Sequence, residues 1–325
     1  MRFVVQRLSY YCLAFLVAAT VNFMLPRMMP GDPVEMMFAR GNMRLPPESI
    51  QALRATFGFV DGPLWEQYLR YLKSIVTGDL GLSVKYFPSE VWPILSRACV
   101  WTLLLVGCAT FVAFLIGTLT GTIAAWRRGT WFDVTVSIGS IVLPALPPVV
   151  LALVTLFVLG TTLNLFPLGY AYDPALDPGF NWTFISSVIS HAAMPVIAVA
   201  LVWVGGFAST TRNSMIGVLG EDYMVMAEAK GLSRNRVMFA YGLRNAMLPS
   251  ITNLAIVIGQ VFAGSLVTEV VFNYPGLGNT LYQAILARDY PLIQGQLLIM
   301  TFAMLSANFL ADIAYLIADP RLRVR

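Results

Sequence analysis

The sequence predicts an all-α polytopic membrane protein with six transmembrane helices and a small helical segment outside the membrane after the first of them. Three observations predict it. Of 325 residues, 58% are hydrophobic and only 12% charged, about half the roughly 25% charge of a soluble domain. Six segments, near 8–28, 98–125, 132–161, 188–208, 250–272 and 293–317, reach the roughly 20 apolar residues that a membrane-crossing helix requires. Four clusters of basic residues fall at the termini and in connections that six crossings place on a single side, as cytoplasmic loops enriched in Lys and Arg require, while the basic residues of 29–97 lie on the other side in a segment long enough to escape that rule.

The elements follow in order. The apolar run through Leu25 is long enough to cross and is followed by no small-residue cleavage site, so it reads as a retained first helix rather than a leader. The stretch 29–97 is the external segment. In it Leu45-Pro46-Pro47-Glu48 opens a short helix ending at Gly58. Pro63 stands at a first helical position, and Trp65, Tyr68, Leu69, Leu72, Ile75 and Val76 then recur at helical spacing until Gly78. Packing of this helical cap against the bundle and contact with an external partner are both open. Residues 98–325 form a five-helix core. Pro144, Pro147 and Pro148 interrupt the third span and Pro195 the fourth, which membrane helices tolerate when neighbours satisfy the freed carbonyls. A long connection, 209–249, separates the fourth and fifth spans. Arg2, Arg7, Arg127, Arg128, Arg212, Lys230, Arg234, Arg236, Arg244, Arg321, Arg323 and Arg325 then all lie on the cytoplasmic side, with both termini.

Several chemistries find no motif. The chain has no Gly-Lys pair, hence no phosphate-cradling GxxxxGK[ST] loop, and no HExxH or GxSxG. Its single histidine, His191, at the outer start of the fourth span, reads as a hydrogen-bonded interfacial residue. Cys12, Cys99 and Cys108 are scattered without metal spacing. No metal site and no nucleic-acid partner are expected. Acids inside spans mark proton relays when they lie at mid-depth, and Asp133, Glu269 and Asp312 all lie near span ends. Asp312 is expected to pair with Arg212. Gly117 and Gly121 form a GxxxG that serves close helix packing, within the chain or with a second membrane subunit. Asn253 and Gln260, seven residues apart, share one helix face and with Glu269 are candidates for lining a polar passage; interhelical hydrogen bonding is the equal alternative.

The most informative stretch is Tyr223–Pro249, a basic helix-forming island between two spans, with Gly231 where a helix–turn–helix needs a residue without Cβ. It is shaped to dock into a soluble partner.

These features together resemble the permease subunits of bacterial ABC importers of the dipeptide/oligopeptide/nickel family, over essentially the whole chain. The resemblance is carried by Met29-Pro30-Gly31-Asp32-Pro33, Gly78-Asp79-Leu80-Gly81-Leu82-Ser83, Arg212-Asn213-Ser214-Met215, Ala227-Glu228-Ala229-Lys230-Gly231-Leu232, Leu243-Arg244-Asn245-Ala246-Met247-Leu248-Pro249, Pro275-Gly276-Leu277-Gly278, Arg288-Asp289-Tyr290-Pro291 and Asp319-Pro320-Arg321. The resemblance implies the type I importer permease fold in the bacterial inner membrane. It makes 209–249 the EAA-type loop, with Ala227, Glu228, Ala229, Lys230, Gly231, Leu232 and Arg234 coupling the chain to an ATPase. Aligned on Gly231, the name-giving positions are Val225, Met226 and Ala227, so the family's first acid is absent. The implied partners are a second homologous permease, two ATPase subunits that carry ATP and Mg, and an external solute-binding protein. The chain itself would bind no cofactor and catalyse no reaction. Peptide is the implied cargo. Oligosaccharides, nickel complexes and glutathione are the alternatives within the same machinery, and a self-sufficient secondary transporter is the rival outside it.

Overall fold

The computed structural model describes residues 2–28, 63–260 and 265–318, with side chains at 2–5, 26, 255, 259, 260 and 310–318 excepted. The expected 45–58 helix and the Met29–Pro33 and Asp319–Arg321 motifs lie outside the described residues. The described helices are α1 (Arg2–Met28), α2 (Leu64–Thr77), α3 (Val91–Trp126), α4 (Trp131–Ala145), α5 (Pro148–Thr155, prolonged by π-helical turns at Leu156–Thr162), α6 (Trp182–Leu219), α7 (Asp222–Ala229), α8 (residues 234–246, π-helical at Val237–Leu243), α9 (Leu248–Gln260), α10 (Leu266–Val271), α11 (Leu277–Ala287) and α12 (Tyr290–Ala318). The chain is an all-helical, polytopic membrane protein.

Among the described residues, four helices are long and apolar enough to cross a bilayer: within α1, α3, α6 and α12. The expected third span is α4 and α5, which meet at 107° across Leu146-Pro147. Pro147 and Pro148 remove donors that a continuous helix would need, so the interruption expected in this span is a sharp break. The expected fifth span is divided between α9 and α10, with 261–264 outside the described residues. The fourth span runs well past its expected limits. At about 1.5 Å per residue, the 38 residues of α6 greatly exceed a hydrocarbon core roughly 30 Å thick. Pro195 is buried within it and does not stop it.

The chain forms two compact units, which cut it differently from the division at residues 28 and 97. One holds residues 1–101, 262–266 and 275–325; the other holds 102–261 and 267–274.

In the first unit α2 packs on α1. Tyr68 Oη lies 2.7 Å from Thr20 Oγ1, Asn22 Nδ2 donates to Tyr71 Oη at 3.2 Å, and Arg27 Nη2 donates to Gln67 Oε1 at 2.7 Å. The Phe23 ring meets Tyr68 edge-on. This helix, the one expected outside the membrane, packs against its own chain. Gly78 ends α2 in the left-handed region, its N–H reaching back to Ile75 O. Asn22 and Gln294 exchange side-chain-to-backbone hydrogen bonds and join α1 to α12. The core gathers Val91 and Leu95 with Leu277, Tyr290 and Leu292. Beside it Asp289 is fully buried. Its carboxylate accepts from Ser83 Oγ, from Lys85 N–H at 2.9 Å and from Leu292 N–H at 3.1 Å. The last bond caps the start of α12, where backbone donors lack helical partners.

In the second unit α6 is the central element. Ala109 and Ala113 of α3 pack with Phe207, Val199 and Ala200 of α6 and Val257 of α9. The GxxxG is an intrachain contact: a Cβ at Gly117 would stand 2.6 Å from Phe207 Cβ and 2.7 Å from Val204 O, and one at Gly121 would collide with Ala208 O. Only glycine lets α3 and α6 approach this closely. His191 Nδ1 lies 2.8 Å from Ser187 O in its own helix.

Candidate functional site

The segment after α6 is built on three supports. The first is an ion pair. Arg212 Nε and Nη2 donate to the two oxygens of Asp133 at 2.6 and 3.1 Å, and Gly129 N–H donates to the same carboxylate at 3.0 Å. A two-pronged guanidinium–carboxylate pair fixes orientation as well as distance, so it locks the first turn of α4 to the late turns of α6. The expected partner of Arg212 was Asp312. Asp133 is the acid that the structure gives Arg212, and the Asp312 side chain lies outside the described residues. The second support is the buried Thr211 Oγ1–Ser250 Oγ contact at 2.7 Å, which ties α6 to α9. The third is a floor of apolar contacts in which Ala125, Met215, Met238 and Ala246 pack together.

On this floor α7 and α8 form the expected helix–turn–helix. Asp222 stands in the first turn of α7, where the helix dipole favours an acid. Met224 and Ala227 are buried against Val237 of α8, with Trp126 and Leu232 around them. The helix ends at Lys230, whose N–H donates to Met226 O at 3.0 Å, and Gly231 N–H donates to Glu228 O at 2.9 Å. Gly231 takes φ +70 and has no atom within 4 Å of where a Cβ would stand. Backbone conformation, rather than crowding, is what requires glycine there. Arg234 then extends over the Trp126 ring, 5.6 Å from its centre, and Asn245 Nδ2 donates to Tyr223 Oη at 3.0 Å.

The candidate coupling residues divide between two faces. Glu228, Ala229, Lys230, Gly231 and Arg234 are exposed, whereas Ala227 is buried and Leu232 half-buried. The buried two hold the segment in place. Two residues that the pattern did not single out for docking, Val225 and Met226, stand 63% and 60% exposed on α7. With Met224 and Ala227 occupying the inward side of an eight-residue helix, the residues between them must face outward. That spacing was the available signal. The result is a short helix with an apolar outer surface, acids at its start and Lys230 and Arg234 at its end, which is a shape for seating in a groove of a protein partner.

The candidate passage residues are not gathered here. Asn253 is half-buried on α9, and the Gln260 side chain lies outside the described residues. Glu269 is fully buried and accepts from Thr102 Oγ1 at 2.7 Å. Its carboxylate is thus engaged between α10 and α3.

Comparison with known proteins agrees with this architecture. Residues 117–324 match the family described as "Binding-protein-dependent transport system inner membrane component". Residues 1–98 match "Binding-prot-dependent transport system membrane comp, N-term". The chain is 33% identical over 349 residues to the dipeptide transport system permease protein DppB of Escherichia coli (strain K12), covering 99% of each chain. It is 33% identical over 334 residues to the di/tripeptide transport system permease protein DppB of Pseudomonas aeruginosa (strain UCBPP-PA14), covering 99% of this chain and 98% of the relative. A putative peptide permease protein of Brucella suis biovar 1 (strain 1330) is 34% identical over 313 residues, 96% of each. Both parts of the chain are matched and the relatives are covered end to end, so this multi-pass protein belongs to the family of inner-membrane components of binding-protein-dependent transport systems.

Proposed function

We propose that the chain is one permease subunit of an ATP-driven importer of peptides, and that α7 is the element through which an ATPase subunit drives it. The observation that carries this reading is the two-faced α7, with Met224 and Ala227 anchoring it and Val225 and Met226 exposed. An apolar outer surface on a helix beside a cluster of cations is stable in water only at a cost, and burial in a partner's groove removes that cost. Peptide cargo is supported by the relatives, whose names specify dipeptide, di/tripeptide and peptide transport.

The division of labour follows. The chain carries no phosphate-cradling loop, so ATP and Mg belong to two partner ATPases. A second homologous permease completes the pathway, and a solute-binding protein delivers cargo on the other side. Both termini and the 209–249 connection lie in the cytoplasm, as the basic residues on that side require. Movement of the ATPase is transmitted to the membrane helices because α7 is fastened to α8 and, through the floor of Met215 and Met238, to α6.

The test is Val225→Asp with Met226→Asp in the assembled transporter. Charged side chains at exposed positions leave folding within about 0.5 kcal/mol, while a charge inside a docking groove without a partner opposes binding. Membrane abundance stays normal, and ATPase co-purification and peptide uptake fall together. Normal uptake with the ATPase retained would overturn the reading.

A further inference from the structure

We propose that the groove between α1 and α12, roofed by α2, is a binding site for one acyl chain of an anionic phospholipid. The groove has a volume of about 690 Å³ and a lining that is almost wholly apolar, within the roughly 300–1,000 Å³ of ligand sites. Its walls include Phe15 and Leu16 of α1 and Phe302 and Leu305 of α12. Leu72 and Val76 of α2, with Trp92, line its end.

Three observations choose a lipid chain over a protein helix. The first is length. The lining runs along α1 from Leu8 to Ala19, about 17 Å at the helical rise. This is a little over half of the roughly 30 Å hydrocarbon core, the depth that the chains of one leaflet reach. The second is closure. α2 and Trp92 stand across the end of the groove, which would stop a helix continuing into water but suits a chain that terminates in a headgroup. The third is the surface of α2. Trp65, Leu69 and Val76, at helical spacing on one stripe, are 65%, 55% and 87% exposed. They continue the exposed apolar surface of α1, where Leu13, Val17 and Val21 are also exposed. Lys73, exposed on the turn before Val76, flanks the stripe. Aromatic and aliphatic residues on one side of a helix with a cation beside them define an element that lies in the headgroup region. Lys73 there meets a phosphate.

The test places a phospholipid with a photoactivatable acyl chain in nanodiscs with the full-length protein, using phosphatidylglycerol and phosphatidylcholine headgroups in parallel. Adducts are mapped by mass spectrometry. They should concentrate on residues 8–19 and 298–309. Leu16→Trp, which fills the groove, should remove them there while labelling elsewhere persists, and Ala19→Leu serves if the first variant inserts poorly. Lys73→Gln should reduce the preference for phosphatidylglycerol roughly fivefold. Adducts spread evenly over all apolar helix surfaces would overturn the proposal. So would cross-linking of Cys12, which lines the groove, to another polypeptide, since a protein helix would then be the occupant. Labelling does not depend on transport, so this proposal and the importer reading fail separately.

Discussion

Residues 78–90 with 288–292, in the first unit, and residues 222–246, in the second, are both rich in short motifs and both join helices. They are held in opposite ways. The first region is fastened by buried polar bonds. Asp289 takes three donors, Ser83 Oγ accepts Tyr86 N–H at 3.1 Å, and Ser83 N–H reaches Ser89 O. The second is held by a few apolar contacts and one left-handed glycine, and it leaves most of its polar and several of its apolar groups in solvent. Satisfied buried networks specify a single geometry. Exposed surfaces with few contacts keep the low local stability from which moving and docking elements are drawn. On the proposed function, the difference separates a structural knot from a working surface.

The largest expected effect is at the knot. Asp289→Ala removes the acceptor of three donors, and buried donors left without partners cost about 1–3 kcal/mol each. The variant should lose on the order of 3 kcal/mol or more, read as lower thermal stability and membrane abundance, while the molecules that do insert keep their ATPase. Asp289→Asn retains one carbonyl acceptor and should fall between. An Asp289→Ala protein as stable and abundant as the parent would mean that the knot is dispensable and that the comparison fails at its rigid end.

A smaller effect is expected where the docking segment joins the bundle. Asp133 is buried but Arg212 is partly exposed, so water and salt screen the cation once its partner is gone. Asp133→Ala should therefore cost about 2 kcal/mol, below the 3–5 kcal/mol of a fully buried broken pair. It should also loosen the fastening of α4 to α6. Thermal unfolding of the purified protein gives the first quantity, and ATP-dependent uptake at matched abundance gives the second. If both match the parent, the pair is an ornament of this end of α6 rather than a strut.

Gly231 sharpens the comparison from the other side. Gly231→Val forces a β-branched residue to φ +70, at about 1–3 kcal/mol of local strain. Nothing crowds the position, so the strain is relieved by opening the turn rather than by unfolding the bundle. Uptake should be lost with abundance kept. Gly231→Asn tests the cause, since asparagine tolerates the left-handed region; it should restore most of the uptake. Equal loss in both variants would show that something other than backbone conformation makes glycine necessary.

Much of this was legible in the sequence because hydrophobic length and basic clusters act locally. The spans in α1, α3, α6 and α12, the stop of α2 at Gly78 and the turn at Gly231 each follow from a few adjacent residues. What was not legible depends on pairing across the fold. Arg212 had three acids near span ends to choose from, and only the packing of α4 on α6 brings Asp133 to it. Glu269 looked like a passage residue because it is an acid near a helix end, but the hydroxyl that engages it, Thr102, is 167 positions away. The prolines located the interruption between α4 and α5 but not its angle, because proline marks where a helix is weakened, not how far it bends. Val225 and Met226 were passed over because their outward position depends on Met224 and Ala227 being the residues that pack against Val237 and Trp126.

The smallest effect is at Arg234. Its guanidinium sits 5.6 Å from the centre of the Trp126 ring and is otherwise exposed. A cation–π contact at an exposed site is worth about 0.5–1 kcal/mol, and reversing a surface charge usually moves stability by less than about 0.5 kcal/mol. Arg234→Glu should therefore leave thermal stability nearly unchanged. The charge presented to the partner changes by two units, however, so any acidic surface on the ATPase would be repelled, an effect that weakens with added salt. ATPase retention measured at low and high ionic strength isolates it. Retention that is poor at low salt and recovers at high salt identifies electrostatic steering at the end of α7. Retention equal to the parent at every salt concentration assigns Arg234 to holding Trp126, on the side of the knot rather than of the working surface.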